Sequence, residues 1–362
     1  MTSGFSIVGV AALVSVLAAQ LFMPALLQRA SVGLAVVGIL IGVPHGAVDH
    51  MVPFWIRGTR PTVRSMAMVL GRYLSVAALA AAALVLLPNL AVTAFLIASA
   101  LHFGLAENEF RGLAENEFRG LAENEFRGLA ENELKGLAEN ELQGGAENVD
   151  VGRGTSGRPV PSRRLDLLRA IAHGGAVVVL PLSLWHPQVT QALGGLAPMY
   201  AGDQATWLEH VLAVAVLVLN LGLGLAAVRR GRLWEAAQIA LIVSVFVVVP
   251  PLAAFAVYFG GWHAMRHTGR LLSLPGPEGT VLARSAAVRR YLRHAALPTL
   301  TVLVVMSLVW ADQSRPVVAA ALAVLVALTF PHLFTVAALD RWTATHQGRD
   351  QPNRATPVRP SS

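Results

Sequence analysis

The sequence predicts an all-α, polytopic integral membrane protein of about ten transmembrane helices. Three observations carry that reading. The 362-residue chain is 55% hydrophobic and only 14% charged, where soluble globular proteins carry roughly 25% charged residues. Apolar runs of about 20 residues, the length that crosses a bilayer, follow one another along most of the chain. Finally, the basic residues fall in alternate loops between those runs, as the positive-inside rule requires.

Taken in order, the candidate spans are about 5–28, 32–54, 66–87, 89–106, 165–185, 207–227, 233–249, 251–268, 296–311 and 316–338. The first lacks a basic n-region and a cleavage site, so it is expected to be a retained membrane helix, not a signal peptide. Arg57, Arg60 and Arg64 follow span 2; Arg158, Arg163 and Arg164 precede span 5; Arg229, Arg230 and Arg232 follow span 6. Arg270, Arg284, Arg289, Arg290 and Arg293 follow span 8, and Arg341, Arg349, Arg354 and Arg359 lie after span 10. The stretch 186–206 has no Lys or Arg. Both termini are therefore expected in the cytoplasm and the chain in the cell membrane.

The net charge of +7 hides two opposite contributions. Residues 104–151 hold 12 acidic and 4 basic residues, a local −8, which leaves +15 for the rest. A nucleic-acid partner needs its basic residues on one folded face; here they flank membrane spans, and no such partner is expected. There are no cysteines, which excludes disulfides, thiolate metal sites and Cys nucleophiles.

Residues 104–151 are six tandem octapeptides: three of GLAENEFR, then GLAENELK, GLAENELQ and a degenerate GGAENVDV. A period of eight drifts around a helix, so no apolar stripe persists, and each recurring Gly weakens helix. The expected organisation is membrane spans in 1–104, a mostly disordered cytoplasmic linker over 105–164, spans again in 165–340, and a disordered tail over 341–362.

The chemistry-bearing residues are histidines. His45 lies in the inner half of span 2, His102 near the inner end of span 4, His263 and His267 at the inner end of span 8, and His332 in the inner part of span 10. His173 enters the same depth from span 5. Ionisable groups inside spans are costly and mark functional cavities. His263 and His267 are four apart, on one helical face, and imidazoles from facing helices hold metals in helix bundles. A metal site between spans near the cytoplasmic side is the expectation.

Asp49 shares a face with His45 and is expected to orient it from behind. His332 follows Pro331 and is expected to support a kinked span by satisfying the carbonyl that the proline frees. Tyr258, Phe259 and Trp262 flank the histidine pair and are candidates to line a substrate tunnel, with interfacial anchoring as the alternative. His50, His186, His210, His294 and His346 sit at span ends or in loops and read as ordinary polar residues. Three classes remain open from residues alone: a non-haem metal enzyme, a bis-histidine haem protein that carries electrons, and a metal or proton transporter. A desaturase-like di-iron enzyme needs more ligands than one HxxxH supplies.

Four segments taken together resemble the Brp/Blh family of bacterial and archaeal carotene-cleaving membrane proteins: Gly42-Val-Pro-His-Gly-Ala-Val-Asp49, Leu101-His-Phe-Gly104, Tyr258-Phe-Gly-Gly-Trp-His-Ala-Met-Arg-His267 and Phe330-Pro-His-Leu333. The resemblance spans residues 32–104 and 165–338. It implies a β-carotene 15,15′-dioxygenase in the lipid bilayer that uses non-haem Fe2+ and O2 to cut β-carotene into two retinals. It also implies four iron ligands, which map onto His45, His102, His263 and His267. The octapeptide expansion, two residues after His102, departs from the short connection that the family has there.

Overall fold

A computed structural model describes residues 2–108, 163–202, 205–311 and 317–346, which are helical with short connections and contain no strand. The first half runs α1 (Thr2–Phe22), α2 (Pro24–Ala47), a short α3 (Val52–Trp55), α4 (Val63–Leu86) and α5 (Pro88–Asn108). The second runs α6 (Arg163–Leu184), α7 (His186–Leu193), α8 (Trp207–Arg229), α9 (Leu233–Val248), α10 (Pro251–Ala256), a π-helical segment (Val257–Ala264), α11 (Met265–Leu272), α12 (Arg284–Ala311) and α13 (Val317–His346).

Local chemistry sets these boundaries. Pro24 and Pro251 stand in the first turns of α2 and α10, where the missing N–H costs nothing. Capping boxes open α4 (Thr62 with Ser65) and α8 (Thr206 with Glu209). At the end of α8, Gly231 (φ 71°) donates its N–H to Val228 O at 2.9 Å and Arg232 donates to Ala227 O at 2.9 Å. That is a Schellman closure, which needs the left-handed residue that glycine supplies.

Seven of these helices are long and apolar enough to cross a membrane: α2, α4, α5, α6, α8, α12 and α13. Ser6–Phe22 and Leu233–Val248 are shorter apolar helices. The expected eighth span, 251–268, is not one helix but α10, the π segment and the start of α11. The Gly260–Gly261 pair weakens α-helix there, and a wider π turn takes its place, as often happens at functional sites. Large apolar side chains such as Ile7, Leu21, Leu79, Val85 and Leu300 are exposed on the outer helix faces, the surface that a bilayer covers.

Helices meet closely through glycine. A Cβ on Gly38 would lie 2.5 Å from Ala256 Cα, and one on Gly104 would lie 1.9 Å from Ala170 O. These contacts bring α2 against α10 and α5 against α6, the backbone proximity that small residues permit in membranes. Helix α12 begins at Arg284, well before the expected 296, and α13 continues to His346, so residues 341–346 of the expected tail are helical. Arg270 ties that end down, with Nη1 2.5 Å from Asp340 Oδ1 and Nη2 2.8 Å from Thr343 Oγ1. The octapeptides from residue 109 onward, and with them most of the expected linker, lie outside the described residues. Leu105–Asn108 of the first unit do not: they complete α5.

Candidate metal centre

Five histidines from α2, α5, the π segment, α11 and α13 meet in the interior. His45, His102, His263, His267 and His332 are each at most 8% exposed. Ring centroids lie 4.9 Å apart for His45–His332 and for His102–His263, 5.2 Å for His102–His332, and 5.5 Å for His45–His263, His45–His267 and His267–His332. His263 and His267 stack at 6.4 Å and 9°, one turn apart, as the i, i+4 spacing requires. The common depth read from separate spans therefore corresponds to real proximity.

The ring nitrogens divide into two sets. His45 Nδ1 bonds Gly42 O one turn back, which leaves its Nε2 directed away from its own helix. His102 Nε2 is 3.1 Å from His263 Nε2; two such nitrogens share one hydrogen, so one presents a lone pair to the other. The Nε2 atoms of His267 and His332 are buried with no hydrogen-bond partner. Among the described residues no group of three or more His, Cys, Asp or Glu is already set to hold a metal ion. The donor chemistry nevertheless fits one. Buried imidazoles with unsatisfied Nε2 atoms suit a divalent transition metal, and few other groups would justify leaving them unpaired.

Three expectations are corrected by the tertiary neighbours. Asp49 does not orient His45: its Oδ2 is 2.9 Å from His332 Nδ1 and accepts from Tyr73 OH at 3.3 Å. Helix α2 ends at Ala47, so Asp49 leaves the face of His45 and sits in the turn that follows, where α13 brings His332 to its carboxylate. His332 is therefore committed to Asp49, not to the carbonyl that Pro331 frees one turn back. Among the tunnel candidates, Phe259 lines the main cavity, whereas Tyr258 and Trp262 are turned elsewhere. Tyr258 OH sits 2.7 Å from His173 Nε2, so His173 is one residue removed from the cluster. Trp262 Nε1 donates to Glu107 Oε2 at 3.1 Å.

That cavity, about 1520 Å³, is walled mainly by aliphatic and aromatic side chains such as Val43, Leu96, Val178, Phe255 and Leu322, and His45, His102, His263 and His332 stand in its wall. It exceeds the ~300–1,000 Å³ of ordinary small-molecule sites.

Sequence reasoning missed Glu107 and Tyr73. Glu107, 4% exposed, holds Arg266 Nη1 at 2.6 Å, and the Arg266 guanidinium lies 4.6 Å over the Trp262 ring. The signal available was a carboxylate only five residues beyond His102, at the very end of an apolar run; its membership of a repeat concealed it. Phe103, next to His102 on α5, was also missed: its ring lies 5.0 Å from His263 and 5.3 Å from Tyr258.

Comparison with known proteins bears on this site. Residues 34–130 and 142–340 match the family described as Beta-carotene 15,15′-dioxygenase. The chain is 28% identical over 328 residues to the probable beta-carotene 15,15′-dioxygenase Blh of Halobacterium salinarum, covering 84% of this chain and 82% of that protein. It is also 32% identical over 123 residues to the probable beta-carotene 15,15′-dioxygenase Brp of the same organism, covering 28% of this chain and 32% of that protein. No solved structure gives a significant match.

Proposed function

The chain belongs to the β-carotene 15,15′-dioxygenase family, and from that premise we propose that it cleaves the central 15,15′ double bond of β-carotene with O2 at a non-haem Fe2+, giving two molecules of retinal. The carrying observation is the meeting of His45, His102, His263 and His267 beside a large apolar cavity. These four histidines would hold the iron. When bound, the iron supplies the redox chemistry that lets O2 react with a closed-shell alkene.

The chain's own residues do the rest. Neutral imidazoles leave the ion its full positive charge, and the Gly42 carbonyl fixes the ring orientation of His45. A hydrocarbon substrate offers no polar handle, so the cavity walls place it by shape, and the carbons that stop beside the histidines are the ones cut. The apolar lining also keeps bulk water from the reacting carbons. Both oxygen atoms of O2 enter the two aldehydes, so no external reductant is needed. A haem reading loses ground here, because His102 and His263 at 3.1 Å leave no room for a macrocycle between them.

The setting belongs to the same proposal. Ten membrane segments in the cell membrane, with both termini cytoplasmic, put each arginine-rich loop on the inner side. The π segment and its flanking helices then form a broken span packed inside the protein, where irregular backbone is tolerated.

Expression in a β-carotene-accumulating host, with retinal measured in extracts, tests the reaction. Retinal should accumulate as β-carotene declines, and His263→Ala should abolish this while the protein still inserts. An inserted wild-type chain that yields no retinal overturns the proposal.

A further inference from the structure

We propose that His332 is a fifth histidine of the metal site, its Nε2 a ligand and its Nδ1 fixed by Asp49. The inference rests on the metal reading of the same cluster but assigns a ligand that the family resemblance does not.

Four observations converge on it. The His332 ring is as close to the cluster as the other four, with centroids 4.9, 5.2 and 5.5 Å from His45, His102 and His267. Its Nε2 is buried and has no hydrogen-bond partner. Its Nδ1 is 2.9 Å from Asp49 Oδ2, and Tyr73 OH donates to the same oxygen at 3.3 Å. Finally, His332, Asp49 and Tyr73 all line the cavity that His45, His102 and His263 line.

The tautomer follows from the partners. An ionised carboxylate only accepts hydrogen bonds, so Nδ1 carries the hydrogen and Nε2 is left as a lone pair. This is the carboxylate–histidine arrangement that orients a metal-binding imidazole and raises its basicity. Asp49 thus performs the role expected of it, but for His332, and from the turn after α2 to α13. Tyr73, on α4, holds the carboxylate in turn. His173 provides the contrast: its Nε2 is occupied by Tyr258 OH.

The test uses the full chain, purified in detergent, stripped with a chelator and reloaded with Co2+ or Fe2+. Metal affinity and the Co2+ d–d absorption spectrum are compared for wild type, His332→Ala, His332→Asn, Asp49→Asn and His263→Ala. Asparagine keeps a group able to reach Asp49 but deletes Nε2. Both His332 variants should lose about 10-fold or more in affinity and show a shifted Co2+ spectrum, which added imidazole restores in His332→Ala. Asp49→Asn should weaken binding less. Should His332→Asn bind with wild-type affinity and spectrum while His263→Ala fails, His332 is structural and the inference is wrong. If His332→Ala does not insert, the asparagine variant decides. Failure of the wild type to bind either metal would instead overturn the iron reading itself.

Discussion

Glu107 and Arg266 form an ion pair of 2.6 Å in which both side chains are only 5% exposed. It joins α5, which carries His102, to α11, one residue before His267. Breaking a buried pair from one side leaves an uncompensated charge and costs about 3–5 kcal/mol. Glu107→Ala should therefore lower the detergent-solubilised unfolding midpoint strongly, and Arg266→Met should do the same. The Glu107→Leu, Arg266→Met double variant should recover much of the loss. If both single variants unfold like wild type, the pair contributes nothing to holding α5 against α11.

The same glutamate explains why an expanded repeat is tolerable. Each of the first five units carries Ala-Glu-Asn at the same positions, so the unit next to His102 supplies Glu107 and Asn108 whatever the copy number. Asn108 Nδ2 then reaches Asp166 O at 2.5 Å and ties α5 to α6. Deleting Gly112–Gln143 should leave the protein inserted and at least partly active, by membrane fractionation and retinal yield. Loss of metal binding at normal expression would show that the later units belong to the fold.

Topology gives an independent check on the setting. Reporter fusions after residues 60, 160, 230, 280 and 350 should all report cytoplasm, and one near 195 should report the opposite side. A cytoplasmic signal near 195 would remove the shared membrane depth of the histidines as an argument.

Much of this architecture was legible in the sequence, because hydropathy and loop charge are local properties. The seven long apolar helices each overlap an expected span, although α2 and α12 begin well before the expected 32 and 296, and the cluster followed from placing each histidine at a depth. What could not be read depends on which helix packs beside which. Asp49 faces His332, not His45, because it sits in the turn after α2, where α13 brings His332 to it. Glu107 was assigned to a linker because its surroundings repeat, although α5 continues through it. The break at Val257–Ala264 was invisible because eight residues, most of them apolar, are too few for a pattern to separate π from α turns.

Tyr258 and Phe259 are adjacent yet should behave oppositely. Tyr258→Phe deletes the hydroxyl that meets His173 Nε2 and so removes a buried hydrogen bond, at a cost of about 1–3 kcal/mol. Its stability should fall while the KM for carotene stays near wild type. Phe259 lines the cavity and stacks on Phe255 at 5.2 Å, so Phe259→Leu should act mainly on KM or on which carotenoid is accepted. A KM change confined to Tyr258→Phe would place the substrate on the other side of this segment.

Gly38 and Gly33 lie on the same helix and separate close packing from helix propensity. A Cβ at Gly33 meets nothing within 4 Å, whereas one at Gly38 would lie 2.5 to 2.8 Å from the Cα, O and C of Ala256. Backbone atoms cannot rotate aside as a side chain can. Gly38→Ala must push α2 from α10, and α2 carries His45 toward the cluster. Overpacking of this kind costs typically about 1–3 kcal/mol, and here the displacement also moves a proposed ligand. Gly33→Ala gains helix propensity in open space and should match or slightly exceed wild type in unfolding midpoint. Gly38→Ala should fall below wild type in both unfolding midpoint and Co2+ affinity. Equal behaviour of the two variants would mean that α2 and α10 are not held at this distance.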